Sequence, residues 1–243
     1  MNRVLRPLAL LAVGAALCAA TPRVSLFDDA GTYRVYQGNR SLGTESFSFE
    51  TYRDSVFVFA HIHEALLSPT GVDSLEKHVA VALSAQDLDL RGYESKSKMS
   101  GHSLRRTVSL ADTSFTAYIE SDSRGEGRTQ VRPPGHMYVL EPRAFALFDL
   151  IFRVGHGSSL DDRTVHVLYL GVARDTVIDA RVRRLGTEAV RWGTRTVQAQ
   201  KISFSDSTAE FLAWLLPDGR MMRLTQPGVG LRVEREPPGL KRP

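Results

Sequence analysis

One stretch, residues 133–157, constrains the fold more than any other, because it holds the clearest helical pattern in a chain of short strand patterns. Pro142 suits the first turn of a helix, where a missing N–H costs nothing, and Gly155 and Gly157 supply a stop. The pattern predicts a helix near residues 142–154 that is buried on most of its sides. Its apolar residues are Ala144, Phe145, Leu147, Phe148, Leu150, Ile151 and Phe152.

The rest of the chain predicts strands joined by short turns. Residues 31–50 alternate apolar and polar side chains on both sides of Gly38-Asn39-Arg40, which is typical of a β-hairpin. Residues 56–62 are apolar at consecutive positions, which predicts a strand covered on both faces. Many such strands indicate an antiparallel meander. We expect a mainly β fold, in which a large curved antiparallel sheet, a half-barrel, wraps the helix. Arg153, near the helix end, is expected to complement the negative end of the helix dipole.

The first twenty residues have the pattern of a secretory signal peptide. Arg3 and Arg6 precede an apolar run at residues 8–17, and Ala20 ends a group of small residues suited to cleavage. A retained N-terminal anchor is the alternative, although the run is short for a membrane span. Cys18 raises the question of lipid attachment, but the preceding Leu17 is larger than such sites favour.

We therefore expect a signal peptide at 1–20, a single β-rich domain at 21–236 and a flexible tail at 237–243. The mature chain is expected to lack a transmembrane span and to be exported, to the periplasm or the cell envelope. Cys18 is the single cysteine of the sequence, so the mature chain has no disulfide or thiolate metal site available.

The charge balance argues against nucleic acid as a partner. Without Arg3 and Arg6, the 31 basic residues become 29 against 27 acidic ones, a net charge of +2. Nucleic-acid binding requires clustered positive charge, and the short basic runs such as residues 181–184 lie in strand patterns.

Three segments carry a resemblance: YRVYQGNRSLGTESFSFE, the helix after HMYVLEP, and WLLPDGRMMRLTQPGVGLRVER. Together they resemble uncharacterised exported bacterial proteins in which a half-barrel partly encloses a helix. That architecture is similar to the outer-membrane lipoprotein carriers. The resemblance implies this fold and an apolar ligand, and it brings no catalytic residue.

The best metal candidate is the pair His61 and His63, because alternate residues of a strand share a face. If the following hairpin is centred near residue 69, Ala60 faces His78, and His78 then lies on the other face of the sheet. A slip of one residue in register reverses this conclusion. The sequence thus gives no full ligand set, and we assign no metal and no cofactor.

Histidine, serine and aspartate also occur together after the helix, at His156, Ser158, Ser159, Asp161 and Asp162. A catalytic triad needs a defined geometry and an oxyanion hole, and no G-x-S-x-G elbow is present. A loop after the helix explains the run, so we assign no catalytic residue.

An apolar ligand is the remaining functional expectation. The candidate lining residues are Phe57 and Phe59 on a strand and Phe148 and Phe152 on the helix. The alternative for these rings is that they only fill the core. Three function classes stay open: an envelope protein that binds a lipid or other apolar molecule without catalysis, an envelope scaffold with a protein partner, and a metal-dependent hydrolase.

Overall fold

The computed structural model describes residues 27–68, 71–156, 162–171 and 174–238. The predicted signal peptide at 1–20, with Cys18, lies outside these residues. So do Gly157, Ser158, Ser159 and Asp161 after the helix, and most of the predicted tail, from residue 239 onward.

One large sheet of 15 strands makes up most of the described fold. A single α-helix, α1 (Ala146–His156), and a short 3-10 helix (Pro227–Val229) accompany it in the described residues. The strands are β1 (Asp29–Gln37), β2 (Arg40–Tyr52), β3 (Ser55–Ser68), β4 (Gly71–Ser84), β5 (Leu90–Met99), β6 (His102–Leu110), β7 (Ser114–Ser121), β8 (Gly125–Val131), β9 (Met137–Leu140), β10 (Arg163–Leu170), β11 (Asp175–Trp192), β12 (Arg195–Ser205), β13 (Glu210–Leu215), β14 (Met221–Gln226) and β15 (Leu231–Arg235).

The sheet consists of two meanders that meet in the middle. β1 to β8 form one arm, β15 back to β9 form the other, and antiparallel pairing of β1 with β15 joins the arms. Every neighbouring pair is antiparallel except β9 with β10, which is parallel. The prediction of a large curved antiparallel sheet is confirmed.

The curvature brings the two edge strands, β8 and β9, towards each other. Only residues 132–136 connect them, and a chain of that length reaches at most about 20 Å. Arg106 of β6 also bridges the arms, donating to the carbonyl of Gly171 at 2.8 Å and to Asp175 at 2.7 Å. The sheet therefore encloses a central space, which α1 occupies.

Strand β3 shows how the sheet divides its side chains. Val56, Val58 and Ile62 are buried on the concave face, towards the core. Phe59, on the alternate face, is 42% exposed. The prediction that both faces of this strand are covered is wrong, because the consecutive apolar residues serve a buried concave face and a partly exposed convex face.

The prediction that the helix is buried is confirmed. Ala146, Leu147, Leu150, Ile151 and Phe152 of α1 are each at most 2% exposed. A short helix gains most of its stability from such packing rather than from its own propensity. Among the described residues, no helix is long and apolar enough to cross a membrane.

The helix begins later than the sequence indicated. It starts at Ala146, not at Pro142, and Arg143 adopts a positive φ of 70°. The start is fixed by Glu45 of β2, whose carboxylate accepts the backbone N–H groups of Phe145 and Ala146 at 2.7 and 2.8 Å. These donors have no partner within a helix, so the buried carboxyl group of Glu45 acts as the N-cap.

Candidate functional site

The two helix residues among the predicted ligand contacts lie in an aromatic cluster. Phe148 packs against Phe204 and Phe211, with ring centroids 5.4 and 4.7 Å apart. Phe152 is fully buried and lies 6.4 Å from Phe204. Both rings are buried, but Phe148 also borders a pocket, whereas Phe152 lies wholly within the packed core.

The two strand residues lie elsewhere. Phe57 and Phe59 stack on each other at 6.1 Å on the convex face of β3, opposite to the face that contacts α1. The four phenylalanines therefore do not line one groove. Alternate side chains of a strand point to opposite faces of the sheet, and both of these rings are on the face that points away from the helix. The expectation of a shared groove is therefore wrong.

The structure instead shows a pocket at the edge of the helix, with a volume of about 180 Å³. We call it the helix pocket. Its apolar lining comes from the end of β9, the start of α1, and strands β10, β13 and β15. The apolar lining residues include Leu140, Phe145, Phe148, Tyr169, Phe211 and Leu231, and Pro142 and Val229 also line the pocket.

A few polar groups border the helix pocket. Gln37, Gln226, Glu141 and Arg143 contribute to its lining. Arg143 is partly exposed and pairs through Nη1 with Glu64 Oε2 at 2.9 Å. Burial raises the pKa of Glu64, and Arg143 opposes this shift. An apolar pocket with few polar groups is typical of sites for small molecules.

Buried ionic contacts hold the floor of the pocket in place. Glu141 accepts a hydrogen bond from the Tyr93 hydroxyl and pairs with Lys77 Nζ at 3.1 Å. Lys77 also donates to the carbonyl of Pro142 at 2.8 Å. Desolvation and the neighbouring Glu141 raise the pKa of Tyr93 well above its ordinary value, so the hydroxyl remains a donor. These contacts fix the segment that leads into α1.

A second buried cluster holds the other part of the helix. Asp149 of α1 accepts from the Tyr33 hydroxyl at 2.7 Å and from the backbone N–H of Met221 at 2.8 Å. It also pairs with Arg153 at 2.7 Å, and Arg153 pairs in turn with Asp29. Arg153 therefore does more than complement the helix dipole, since it is buried among carboxylates that join α1 to β1 and β14.

Sequence reasoning missed these buried charges, although a signal for some of them was present. Glu45 lies on the same concave face of β2 as Phe47 and Phe49. Asp149 is a charged residue within the apolar sequence of the helix. A charged residue on an apolar face indicates a buried partner. Apart from Arg153, which lies four residues after Asp149, the partners are distant in sequence and could not be named.

The convex face carries a separate groove of about 450 Å³, bordered by Phe59, His61, His78 and Lys96. Here the predicted register of the β3–β4 hairpin is wrong by one residue. His61 pairs with His78 and His63 with Glu76, so all four side chains share the convex face. The pairing of Ser68 with Gly71 sets this register, and a one-residue change moves a side chain to the other face.

Comparisons with known proteins support the fold. No protein-family model and no curated protein matches the chain. A solved β-barrel-like protein from Brucella abortus, a domain of unknown function of family DUF1849, is similar at 10% identity with a TM-score of 0.56. The match covers 86% of this chain and 96% of that one. A DUF1089 family protein from Pseudomonas aeruginosa gives 11% identity and a TM-score of 0.47, over 79% of this chain and 92% of that one. The first of these matches supports a β-barrel-like fold for this chain.

Proposed function

We propose that this protein is an exported envelope protein that binds a small apolar or amphipathic molecule in the helix pocket, without catalysing a reaction. The observation that carries the proposal is the pocket itself, in which the rings of Phe148 and Phe211 border space at the edge of an otherwise packed core. Burial of apolar ligand surface contributes about 25 cal/mol per Å². The signal-peptide pattern at residues 1–20 supports export.

The size of the pocket limits the ligand. A cavity of roughly 150 Å³ accommodates a benzene molecule, so the 180 Å³ of the helix pocket suits one ring or a short acyl segment. Gln37, Gln226 and Arg143 stand where a polar head group would emerge. We therefore expect weak selectivity for the head group and strong dependence on the length of a short chain.

A titration with fatty acids of increasing length tests the proposal. Each methylene that enters the pocket should strengthen binding by up to about fourfold, which corresponds to roughly 0.8 kcal/mol. The gain should end after about six to eight carbons, because further methylenes remain in solvent. The absence of saturable binding at every length would contradict the proposal.

Two tyrosines provide a matched pair of variants for this titration. Tyr169 lines the pocket and is 37% exposed, and Tyr118 of β7 lies outside it and is 40% exposed. Tyr169→Ala should weaken binding severalfold, and Tyr118→Ala should leave it unchanged. Equal effects of the two substitutions would place the ligand outside the helix pocket.

A scaffold function is the second candidate, favoured by the edge strand β8. Strand edges bind extended peptides by strand addition. Val131, at the end of β8, is 82% exposed. This candidate predicts that Thr129→Pro, which removes an edge N–H, abolishes binding of a partner peptide while fatty-acid binding persists.

A further inference from the structure

Four side chains with metal-ligating groups meet on the convex face of β3 and β4, away from the helix pocket. His61 lies directly opposite His78, and His63 lies directly opposite Glu76. Directly opposed residues have Cβ atoms roughly 5 Å apart, and alternate residues of one strand share a face. The hairpin therefore presents three imidazoles and one carboxylate as a compact patch.

The distances between the ligand atoms of the patch fit coordination of a metal ion better than they fit hydrogen bonds. His61 Nε2 and His78 Nε2 lie 3.5 and 3.6 Å from the same oxygen, Glu76 Oε1. Ordinary N–H···O bonds are about 2.7–3.2 Å long. Ligands at roughly 2.0–2.1 Å from a tetrahedral Zn²⁺ lie about 3.4 Å from each other. Ligand atoms of His61, His63 and Glu76 all lie within 4.8 Å of one another.

His61 also carries a nitrogen that requires a partner. Its Nε2 atom is buried and makes no hydrogen bond among the described residues. The ring of His78 stacks on it at 4.1 Å and that of His63 meets it edge-on at 4.2 Å.

We propose that His61, His63 and Glu76 form a site for one divalent transition-metal ion of the Zn²⁺ type, with the ring of His78 stacked beside it. Two or three histidines with one carboxylate are a ligand set that Zn²⁺ takes in proteins. His61 and His78 also border the groove of about 450 Å³, so an open coordination position faces space for a small ligand. This inference rests on the convex face and is independent of the helix pocket.

Charges around the patch favour this class of metal over Mg²⁺ or Ca²⁺. Lys96 and Lys98 of β5 pair with His78 and Glu76, and Thr44 and Ser46 of β2 pair with His63 and His61. The positive charge of Lys96 is compensated by Glu94, whose Oε1 atom lies 3.2 Å from Lys96 Nζ. The patch offers one carboxylate beside two lysines, which is poor for hard cations that take only oxygen ligands. Imidazole-rich sites prefer Zn²⁺, Cu²⁺ and Ni²⁺.

Calorimetric titration of the full chain, made without a histidine tag, with Zn²⁺ tests the proposal. Absorption spectra with Co²⁺ report on the coordination geometry of the same site. The variants are His61→Ala and Glu76→Gln, both at partly exposed positions. The matched control is His102→Ala, since His102 Nδ1 lies 3.6 Å from Asp122 in a similar pair without further histidines. Thermal unfolding without metal verifies that each variant folds.

We expect one Zn²⁺ per chain and no saturable binding of Mg²⁺ or Ca²⁺. His61→Ala and Glu76→Gln should each weaken Zn²⁺ binding by roughly tenfold or more, since even supporting residues of metal sites contribute that much. His102→Ala should bind as the wild type does. The inference is overturned if wild-type protein binds no Zn²⁺ saturably, or if folded His61→Ala and Glu76→Gln bind it unchanged.

Discussion

Asp149→Asn is the sharpest test of how the helix is fixed inside the sheet. The carboxylate of Asp149 is fully buried and accepts from Tyr33, the backbone of Met221, and both Nε and Nη2 of Arg153. An amide keeps one acceptor oxygen and places an NH₂ group among these donors. Removal of one partner from a buried ion pair costs roughly 3–5 kcal/mol. A domain is stable by only about 5–15 kcal/mol, so the loss is a large fraction of the total.

Thermal unfolding followed by circular dichroism measures this loss. For a domain of this size, 1 kcal/mol shifts Tm by about 2–4 °C, so we expect a decrease of roughly 6–20 °C. Asp54→Asn is the control, since Asp54 pairs with Arg91 at 2.9 Å on the surface and should lose nothing measurable. Equal Tm values for Asp149→Asn and wild type would refute the reasoning.

A second variant separates the ion pair from the packing around it. Arg153 is buried with Asp149 and lies 3.9 Å above the ring of Phe49. The Asp149→Asn loss arises mainly from the arginine left with an incomplete set of partners. Adding Arg153→Met should therefore restore part of the stability, because replacing both members of a buried pair is often tolerated. Additive losses in the double variant would contradict this cause.

Four further predictions concern the helix, Glu45, export and ligand binding. Phe148→Asp should give largely unfolded or insoluble protein, because it buries an unpaired charge beside Phe204 and Phe211; near-native thermal stability would contradict this. Burial raises the pKa of Glu45 from 4.5 to about 8, so its contribution to stability is greatest below pH 4.5 and is lost as the pH rises towards 8. Denaturant unfolding at several pH values should show that Glu45→Gln removes this dependence. N-terminal sequencing of secreted protein should show cleavage after Ala20, not a start at Met1 or at a lipidated Cys18. Fatty-acid binding should be unaffected by chelator, whereas Zn²⁺ binding should be abolished.

Local patterns were enough to predict the class of fold. The turn at Gly38 and Asn39 does connect β1 and β2, with Gln37 paired to Arg40. The apolar surface of residues 144–152 correctly indicated a buried helix. These features depend on neighbours in the sequence, so periodicity and turn residues reveal them.

Contacts between distant segments could not be predicted in the same way. The helix begins at Ala146 because Glu45, about a hundred residues earlier, accepts its first N–H groups. The exact register of β3 on β4 decides whether His78 joins His61, and the sequence does not fix it to one residue. The single domain at 21–236, export and ligand binding stay predictions.

Native mass spectrometry of protein purified from its own envelope tests the proposed function most directly. The account predicts that part of the wild-type protein retains one apolar or amphipathic molecule, and that Tyr118→Ala retains it equally. Tyr169→Ala, which opens the wall of the helix pocket, should lose it. Wild-type protein that carries no such mass, or equal retention by Tyr169→Ala, would contradict the claim that the helix pocket is the binding site.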